Sequence, residues 1–181
     1  MTVFLFVCII AIIAFLWFYH KPAPTINMTH SSYKPLEAIK AKTYLFIDKL
    51  YQNRYKYPEY KDCIERLYKN TRYTIFTENT AKRDAQGNLY TSYTIDKGTE
   101  VAICMRNKDG TLLNTNVVFY VVLHELAHIA CLEEGHTALF KKIYKFLLKE
   151  AINNGLYIFH DYEMNPVNYC EYMIDENILK H

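Results

Sequence analysis

Cysteine is scarce in this sequence and does not occur in any paired motif. The 181-residue chain contains five cysteines, and they are scattered: Cys8, Cys63, Cys104, Cys131 and Cys170. No CxxC zinc motif and no disulfide framework can be read from this spacing. An odd and sparse set of cysteines is more typical of a reducing compartment than of a secreted protein.

A large net charge and internal repeats are also absent. The formal net charge is +2, which indicates no particular class of partner. Hydrophobic residues make up 51% of the chain and charged residues 22%, a composition that excludes a disordered protein. Basic residues are concentrated in residues 34–72 and acidic residues in 157–181. A chain of this length has room for one domain with a hydrophobic core and one additional segment.

Charge is missing altogether from residues 2–19, which are almost entirely apolar and end in Trp17, Phe18 and Tyr19. A helix of this length would extend roughly 27 Å, close to the thickness of the hydrocarbon layer of a bilayer. Aromatic residues at its end are typical of a membrane interface. We therefore predict a transmembrane helix over residues 1–20. A cleaved signal peptide is the alternative, but the segment lacks a basic n-region and its apolar part is too long.

The positive charges near this segment all follow it, starting at Lys21. The positive-inside rule therefore predicts a single-pass membrane protein with its globular domain on the cytoplasmic side. One glycosylation sequon at Asn27 argues for the opposite orientation, although such triplets are common by chance. Residues 21–34 are rich in Pro, Thr, Asn and Ser and are predicted to be a linker, which leaves residues 35–181 as the domain.

Hydrophobic periodicity predicts an α+β domain. Helices are expected over residues 35–50, 58–69, 117–131 and 137–153, the third of them capped by Asn116. Strands are expected over 73–78, 91–96 and, most clearly, 98–106. The tail after Gly155 is interpreted as strand and loop wrapping the site. If the strand 98–106 lies at a sheet edge, a peptide substrate could add to it as another strand.

Two histidines four residues apart occupy the middle of the third predicted helix, in the motif His124-Glu125-Leu126-Ala127-His128. Side chains at i and i+4 lie on the same helix face, so the two imidazoles can bind one metal ion. Burying two imidazoles and a carboxylate in an apolar helix is costly unless something binds them. The alternative is a helix whose histidines are buried and hydrogen-bonded without an ion.

A catalytic zinc ion has three protein ligands and leaves a fourth position for water, so a third ligand is needed. His136 is the natural candidate because Gly135 lets the backbone turn sharply after the helix. Glu133 and Glu134 are alternative ligands. Glu125 has the position of the general base that takes a proton from water at the zinc. The predicted Zn²⁺ ligands are His124, His128 and His136, and the predicted catalytic residue is Glu125.

Two other groups of residues allow a functional or a structural interpretation. Tyrosines alternate with lysines and arginines over residues 51–73, as on a surface that stacks nucleic-acid bases and pairs with phosphates. Packed tyrosines and solvated lysines would give the same pattern. In the tail, His160, Asp161 and Tyr162 are additional polar groups that we expect to be structural.

Several of these features together resemble the WLM and SprT-like zinc metalloproteases. The resemblance covers residues 101–140 and rests on the strand 103–106, Gly110 and Leu112 in the following loop, the motif 122–128, Gly135-His136 and Phe140. It implies a zincin-like fold, with a small, mostly antiparallel sheet packed on an active-site helix and further helices. It also implies that His124, His128 and His136 are zinc ligands and that Glu125 is the catalytic acid/base. The seven residues between His128 and His136 exceed the usual spacing of the WLM group.

Chains with an apolar N-terminus and an ending like residues 165–170 are also similar to predicted metalloproteases of large DNA viruses. Some members of the WLM and SprT-like group cleave DNA-bound proteins. The sequence therefore predicts a membrane-anchored zinc-dependent endopeptidase of protein or peptide substrates, in a viral membrane or virion. Two alternatives are a structural virion or membrane protein with a closed zinc site and a protein that contacts nucleic acid through its Tyr/Lys surface.

Overall fold

Helices and short strands alternate in the computed structural model of the protein, which describes residues 35–83, 87 and 89–180. The helices are α1 (Pro35–Gln52), α2 (Lys61–Thr71), α3 (Thr115–Ala130) and α4 (Ala138–Asn153). The strands are β1 (Ile75–Asn79), β2 (Lys82–Arg83), β3 (Leu89–Tyr90), β4 (Tyr93–Ile95), β5 (Glu100–Cys104), β6 (Val167–Tyr169) and β7 (Tyr172–Ile174). Two 3₁₀ helices, Arg54–Lys56 and Pro58–Tyr60, connect α1 to α2. The domain is thus α+β, and its four helices correspond to the four predicted ones.

The central element is α3, which packs against α1, α2, α4 and β5. Eleven of its sixteen residues are buried because apolar side chains occur on every face of the helix, as expected for a helix enclosed by other elements. The amide oxygen of Asn114 accepts a hydrogen bond from the Asn116 N–H at 2.8 Å, so Asn114 is the N-cap. Our assignment of the cap to Asn116 was wrong by two residues. Asn116 instead bonds the backbone of Ile158 in the tail.

The main sheet has the strand order β1-β5-β4, and β5 is its central strand. β1 runs parallel to β5 and β4 runs antiparallel to it, so the sheet is mixed rather than mostly antiparallel. We expected the strand 98–106 at the sheet edge, and this was wrong. Residues 101–104 are all buried, which is typical of a strand covered on both faces, whereas an edge strand usually alternates. Within the described residues, β4 forms the edge nearest to α3.

Two antiparallel pairs complete the fold, β2 with β3 and β6 with β7. A disulfide joins Cys104 at the end of β5 to Cys170 in the β6–β7 turn, across 66 residues and a Cα–Cα distance of 6.4 Å. This corrects the expectation that the cysteines form no disulfide. Their pairing depends on tertiary contacts between distant segments, which spacing alone does not reveal.

The predicted transmembrane helix is not among the elements that the structure describes. In the part of the chain that the structure describes, no helix is both long enough and apolar enough to cross a membrane. The segment 1–20, the linker 21–34 and the sequon at Asn27 lie outside the described residues.

Candidate metal centre

Three histidine side chains converge at one point between α3 and the loop that precedes α4. The Nε2 atom of His124 lies 3.1 Å from that of His128 and 3.0 Å from that of His136. Ligand atoms of all three residues lie within 4.8 Å of one another. The helix accounts for the first pair, since His124 and His128 are one turn apart on one face. The third imidazole comes from a different part of the chain.

The donor set suits zinc, and so do two of the three donor separations. Three nitrogens bound to a tetrahedral zinc at 2.0–2.1 Å lie about 3.3 Å apart. The separations of 3.0 and 3.1 Å around His124 are close to that value. Imidazole is a common zinc donor, and the three ring nitrogens leave a fourth tetrahedral position for another group. The residues present therefore fit a zinc ion held by His124, His128 and His136.

The loop between α3 and α4 brings His136 to the other two histidines. The helix ends at Ala130, the following residue Cys131 has extended backbone angles, and Gly135 has a φ of +75° that side-chain-bearing residues rarely adopt. The next helix then begins after Thr137, whose hydroxyl accepts a hydrogen bond from the Phe140 N–H at 3.3 Å. The turn predicted at Gly135 is thus present, and His136 is the exposed member of the cluster.

Phe140 packs against all three imidazoles. The centroid of its ring lies 5.0 Å from that of His124, 4.3 Å from His128 and 4.8 Å from His136. The ring is only 2% exposed, so it is held by the core and restricts the orientations of the histidines. The sequence analysis named Phe140 only as part of the family resemblance and did not predict its contact with the three histidines.

The two glutamates that were alternative ligands do not join the cluster. Both are exposed, and the Glu134 carboxylate pairs with the Lys97 ammonium at 3.0 Å. Lys97 also donates to the backbone carbonyl of Glu133 at 2.9 Å. Among the described residues, only the three histidines lie close enough together to bind one ion at this point.

Burial keeps two of the imidazoles neutral. It lowers the pKa of His124 to about 3, with smaller contributions from His128 and His136. Burial also lowers the pKa of His128 to about 4, assisted by His136 and Lys97. A metal ion binds the neutral form of histidine, so these two ligands do not have to lose a proton first at neutral pH.

Glu125 is buried beside this cluster and has one side-chain partner among the described residues. Its side chain is only 4% exposed, and its Oε2 atom accepts a hydrogen bond from the Thr94 hydroxyl at 2.8 Å. Burial raises the pKa of Glu125 to about 7, although the hydrogen bond from Thr94 opposes this shift. A carboxylate with a pKa near neutrality can both accept and return a proton at physiological pH.

Thr94 is the polar contact of this site that sequence reasoning missed. It lies on β4, which pairs with β5 and packs near α3. Residues 91–96 were predicted as a strand, but nothing in a short strand indicates which side chain faces a helix 31 residues later. The predicted strand also contains Thr91, Ser92 and Asp96, so no signal in the sequence singles out Thr94 among its polar residues.

The remaining predicted polar groups do not join the site in the described part of the chain. His160 bonds the backbone carbonyl of Asn165 at 2.8 Å, Asp161 pairs with Lys180 at 2.6 Å, and Tyr162 is fully buried. These contacts are structural, as expected. In the Tyr/Lys surface, the ring of Tyr51 stacks on that of Tyr68 with centroids 3.8 Å apart, so some of these tyrosines pack against each other.

Comparison with curated proteins finds viral relatives. The chain is 46% identical over 134 residues to an uncharacterized protein of Acanthamoeba polyphaga mimivirus, a match that covers 74% of this chain and 66% of that protein. It is 39% identical over 84 residues to an uncharacterized protein of Invertebrate iridescent virus 6, and 40% identical over 67 residues to one of Invertebrate iridescent virus 3. These two matches cover 44% and 36% of this chain, and 44% and 42% of the relatives. No protein-family model and no solved structure matches the chain.

Proposed function

We propose that the chain is a zinc-dependent endopeptidase in which Glu125 acts as general base and acid. The observation that carries this proposal is the convergence of three histidine Nε2 atoms beside a buried glutamate that follows the first of them in sequence. A structural zinc site needs donors alone. Hydrolysis also needs a group that takes and returns a proton, and Glu125 follows the first of the three donors on the same helix.

The chain's own groups divide the reaction between them. His124, His128 and His136 would hold the ion, and Phe140 would keep their rings in place. Zinc, when bound, supplies Lewis acidity toward a peptide carbonyl and makes a neighbouring water more acidic. Glu125 removes a proton from the attacking water and returns it to the amine of the leaving peptide. Burial raises the pKa of the Glu125 carboxyl group, so it accepts a proton more readily than an exposed glutamate does.

The histidine cluster is exposed to solvent on one side, which supports a catalytic zinc site over a closed structural one. His136 is exposed, whereas His124 and His128 are partly buried. In the described part of the chain, no fourth His, Cys, Asp or Glu reaches the cluster. A closed structural zinc site has four protein ligands, so a three-histidine site with an exposed side is typical of a catalytic centre.

The substrate class follows from the sheet beside the site. On one side β4 pairs with β5, and within the described residues no strand covers its other edge. Thr94 on this strand contacts Glu125, so the strand lies against the proposed catalytic group. An extended peptide added to this edge would place a backbone carbonyl near the site. We therefore propose protein or peptide substrates, and β4 takes the role that the sequence assigned to the strand 98–106.

The relatives are viral proteins, but they are uncharacterized and therefore provide no evidence for a particular activity. The resemblance to WLM and SprT-like proteases stays an expectation, and so does the assignment to a virion.

The test is cleavage of denatured casein by the zinc-loaded protein, with and without a chelator, for wild type and Glu125→Gln. The amide keeps the shape of the carboxylate and cannot accept the proton. We expect Glu125→Gln to lower the rate at least about a hundredfold, while its zinc content and melting temperature stay near those of wild type. Glu37→Gln, an exposed glutamate in α1, is the control that should keep full activity. A zinc-loaded wild type with no chelator-sensitive cleavage would favour the structural alternative.

A further inference from the structure

Thr94 is placed where a side chain of the sheet meets the active-site helix. Thr94 lies in the middle of β4 and is paired with Val101 of the central strand β5. Its hydroxyl donates to Glu125 Oε2 at 2.8 Å. The carboxylate is only 4% exposed, so solvent has little access to replace this contact if it is lost. Hydroxyl-to-carboxylate hydrogen bonds of this kind are stronger than neutral ones and fix the acceptor in one orientation.

The strand that carries Thr94 is itself held in position by a second set of hydrogen bonds. The Cys104 N–H donates to the Ser92 hydroxyl at 3.1 Å, and that hydroxyl lies 2.7 Å from the Tyr169 hydroxyl. Tyr169 in turn donates to the Cys104 carbonyl at 2.9 Å. These bonds connect the start of β4, the end of β5 and the tail hairpin. Thr94 is therefore presented to Glu125 from a strand whose position is restrained.

We propose that Thr94 is a positioning residue that holds the Glu125 carboxylate in the orientation needed for proton transfer. This inference rests on the proposed peptidase function. The hydroxyl of Thr94 bonds Glu125 and none of the three histidines, so it acts through Glu125. Because the bond occupies Oε2, the orientation of the other oxygen, Oε1, is determined as well.

A second threonine of the same sheet offers a matched control. Thr77 on β1 donates to the Glu100 carboxylate at 2.8 Å, the same distance, and it is buried to a similar extent. β1 forms the other edge of the sheet, on the far side of β5. A Thr→Val change at either position removes one hydroxyl-to-carboxylate bond and keeps the shape of the side chain. Only the change at Thr94 affects a carboxylate beside the histidines.

The experiment measures kcat, KM, zinc content and melting temperature for wild type, Thr94→Val, Thr94→Ser and Thr77→Val. We expect Thr94→Val to lower kcat roughly ten- to a hundredfold, a fraction of what the general base itself contributes, with KM and zinc content near wild type. Thr94→Ser keeps the hydroxyl and should restore most of kcat. Thr77→Val should keep the wild-type kcat.

Three results would overturn the inference while leaving the peptidase proposal intact. These are a wild-type kcat for Thr94→Val, a loss of the same size for Thr77→Val, and a failure of Thr94→Ser to recover activity although it binds zinc. If Thr94→Val does not fold, Thr94→Ala replaces it, because alanine introduces no new contact. An inactive, zinc-loaded wild type would instead reject the peptidase proposal, and the role of Thr94 with it.

Discussion

The three histidines of the cluster differ in how deeply their side chains are buried. His124 and His128 stand on a buried helix with low pKa values, whereas His136 is exposed on a loop. If zinc binds as we propose, the helix supplies two ligands that are fixed before the ion binds, and the loop supplies one that can adjust. A preorganised pair reduces the entropy lost on binding, because fewer side-chain rotations have to be frozen.

At the residue scale, His136→Ala tests whether the loop completes the site. The change removes one of three donors, so we expect zinc affinity to fall at least about a hundredfold. Competition with a chromophoric chelator measures that affinity. Glu134→Gln is the control, because its carboxylate pairs with Lys97 and should leave zinc affinity near wild type. An unchanged affinity in His136→Ala, together with a loss in Glu133→Ala, would assign the third ligand to Glu133.

At the scale of elements, the site depends on how α3 begins and on what covers α4. The N-cap at Asn114 stabilises the first turn of α3, the helix that carries His124 and His128. Tyr57, between the two 3₁₀ helices, and Tyr60, at the end of the second one, pack their rings against Phe146 of α4, with the Tyr60 and Phe146 rings stacked at 4.0 Å. Both contacts stabilise helices that carry or support the candidate metal centre.

Asn114→Ala should lower the free energy of unfolding by about 1 kcal/mol, the usual cost of losing an N-cap. The physical reason is that the Asn116 N–H loses the side-chain acceptor that it has in the native helix. Urea denaturation followed by circular dichroism measures the change. Thr115→Ala, at an exposed neighbouring position, should cause no comparable loss. Equal stabilities of Asn114→Ala and wild type would show that the cap contributes little.

The contact between the 3₁₀ helices and α4 should make stability depend on pH in the alkaline range. Tyr57 donates to the Glu150 carboxylate at 2.6 Å, and chiefly this hydrogen bond raises the pKa of Tyr57 from 10.0 to about 12. The protonated form is favoured in the folded state, so the contribution is fully present below pH 10 and is lost as pH rises to about 12. Other tyrosines titrate there too, so the difference between wild type and Tyr57→Phe is the quantity to measure. That difference should shrink between pH 9 and about 12 in urea titrations, and a constant difference would contradict the assignment.

At the scale of the whole molecule, one covalent bond connects the sheet to the tail. The Cys104–Cys170 disulfide closes a segment that includes both α3 and α4, so it constrains the unfolded chain across the whole candidate site. Both cysteines are almost fully buried, at 1% and 2% exposure. The tail hairpin therefore stays beside β5 even though it is short.

Removing this disulfide should destabilise the protein substantially. The sequence separation of 66 residues corresponds to about 4 kcal/mol of loop-closure entropy, or a fall in melting temperature of roughly 10 °C. The measurement is thermal unfolding of Cys104→Ser and of wild type with and without reductant, after mass spectrometry has established the bond. Cys63→Ser is the control, because it removes a free thiol and keeps the disulfide. Reductant should destabilise this variant as it does wild type. A wild type indifferent to reductant, or with both thiols free, would contradict this prediction.

Some properties of the protein were determined by the sequence alone, because they depend on neighbours within one helix. The four helices follow from hydrophobic periodicity, and the pairing of His124 with His128 follows from the i,i+4 geometry of a single turn. The position of Glu125 beside the first histidine follows in the same way. His136 could also be proposed from the sequence, because it follows the helix closely and Gly135 permits the sharp turn that brings it back toward the other two histidines.

Only the tertiary structure decided the rest, because those features join segments that are far apart in sequence. The central position of β5, the Cys104–Cys170 disulfide and the contact between Thr94 and Glu125 each depend on which surfaces pack together. The amino-acid sequence of a strand does not show which strands will pair with it. Nor does it show which residue will bond a given threonine or cysteine, since many pairings satisfy the same local preferences. The free energy of packing the whole core selects one of them, and it placed a hydroxyl from the sheet on the glutamate of the helix.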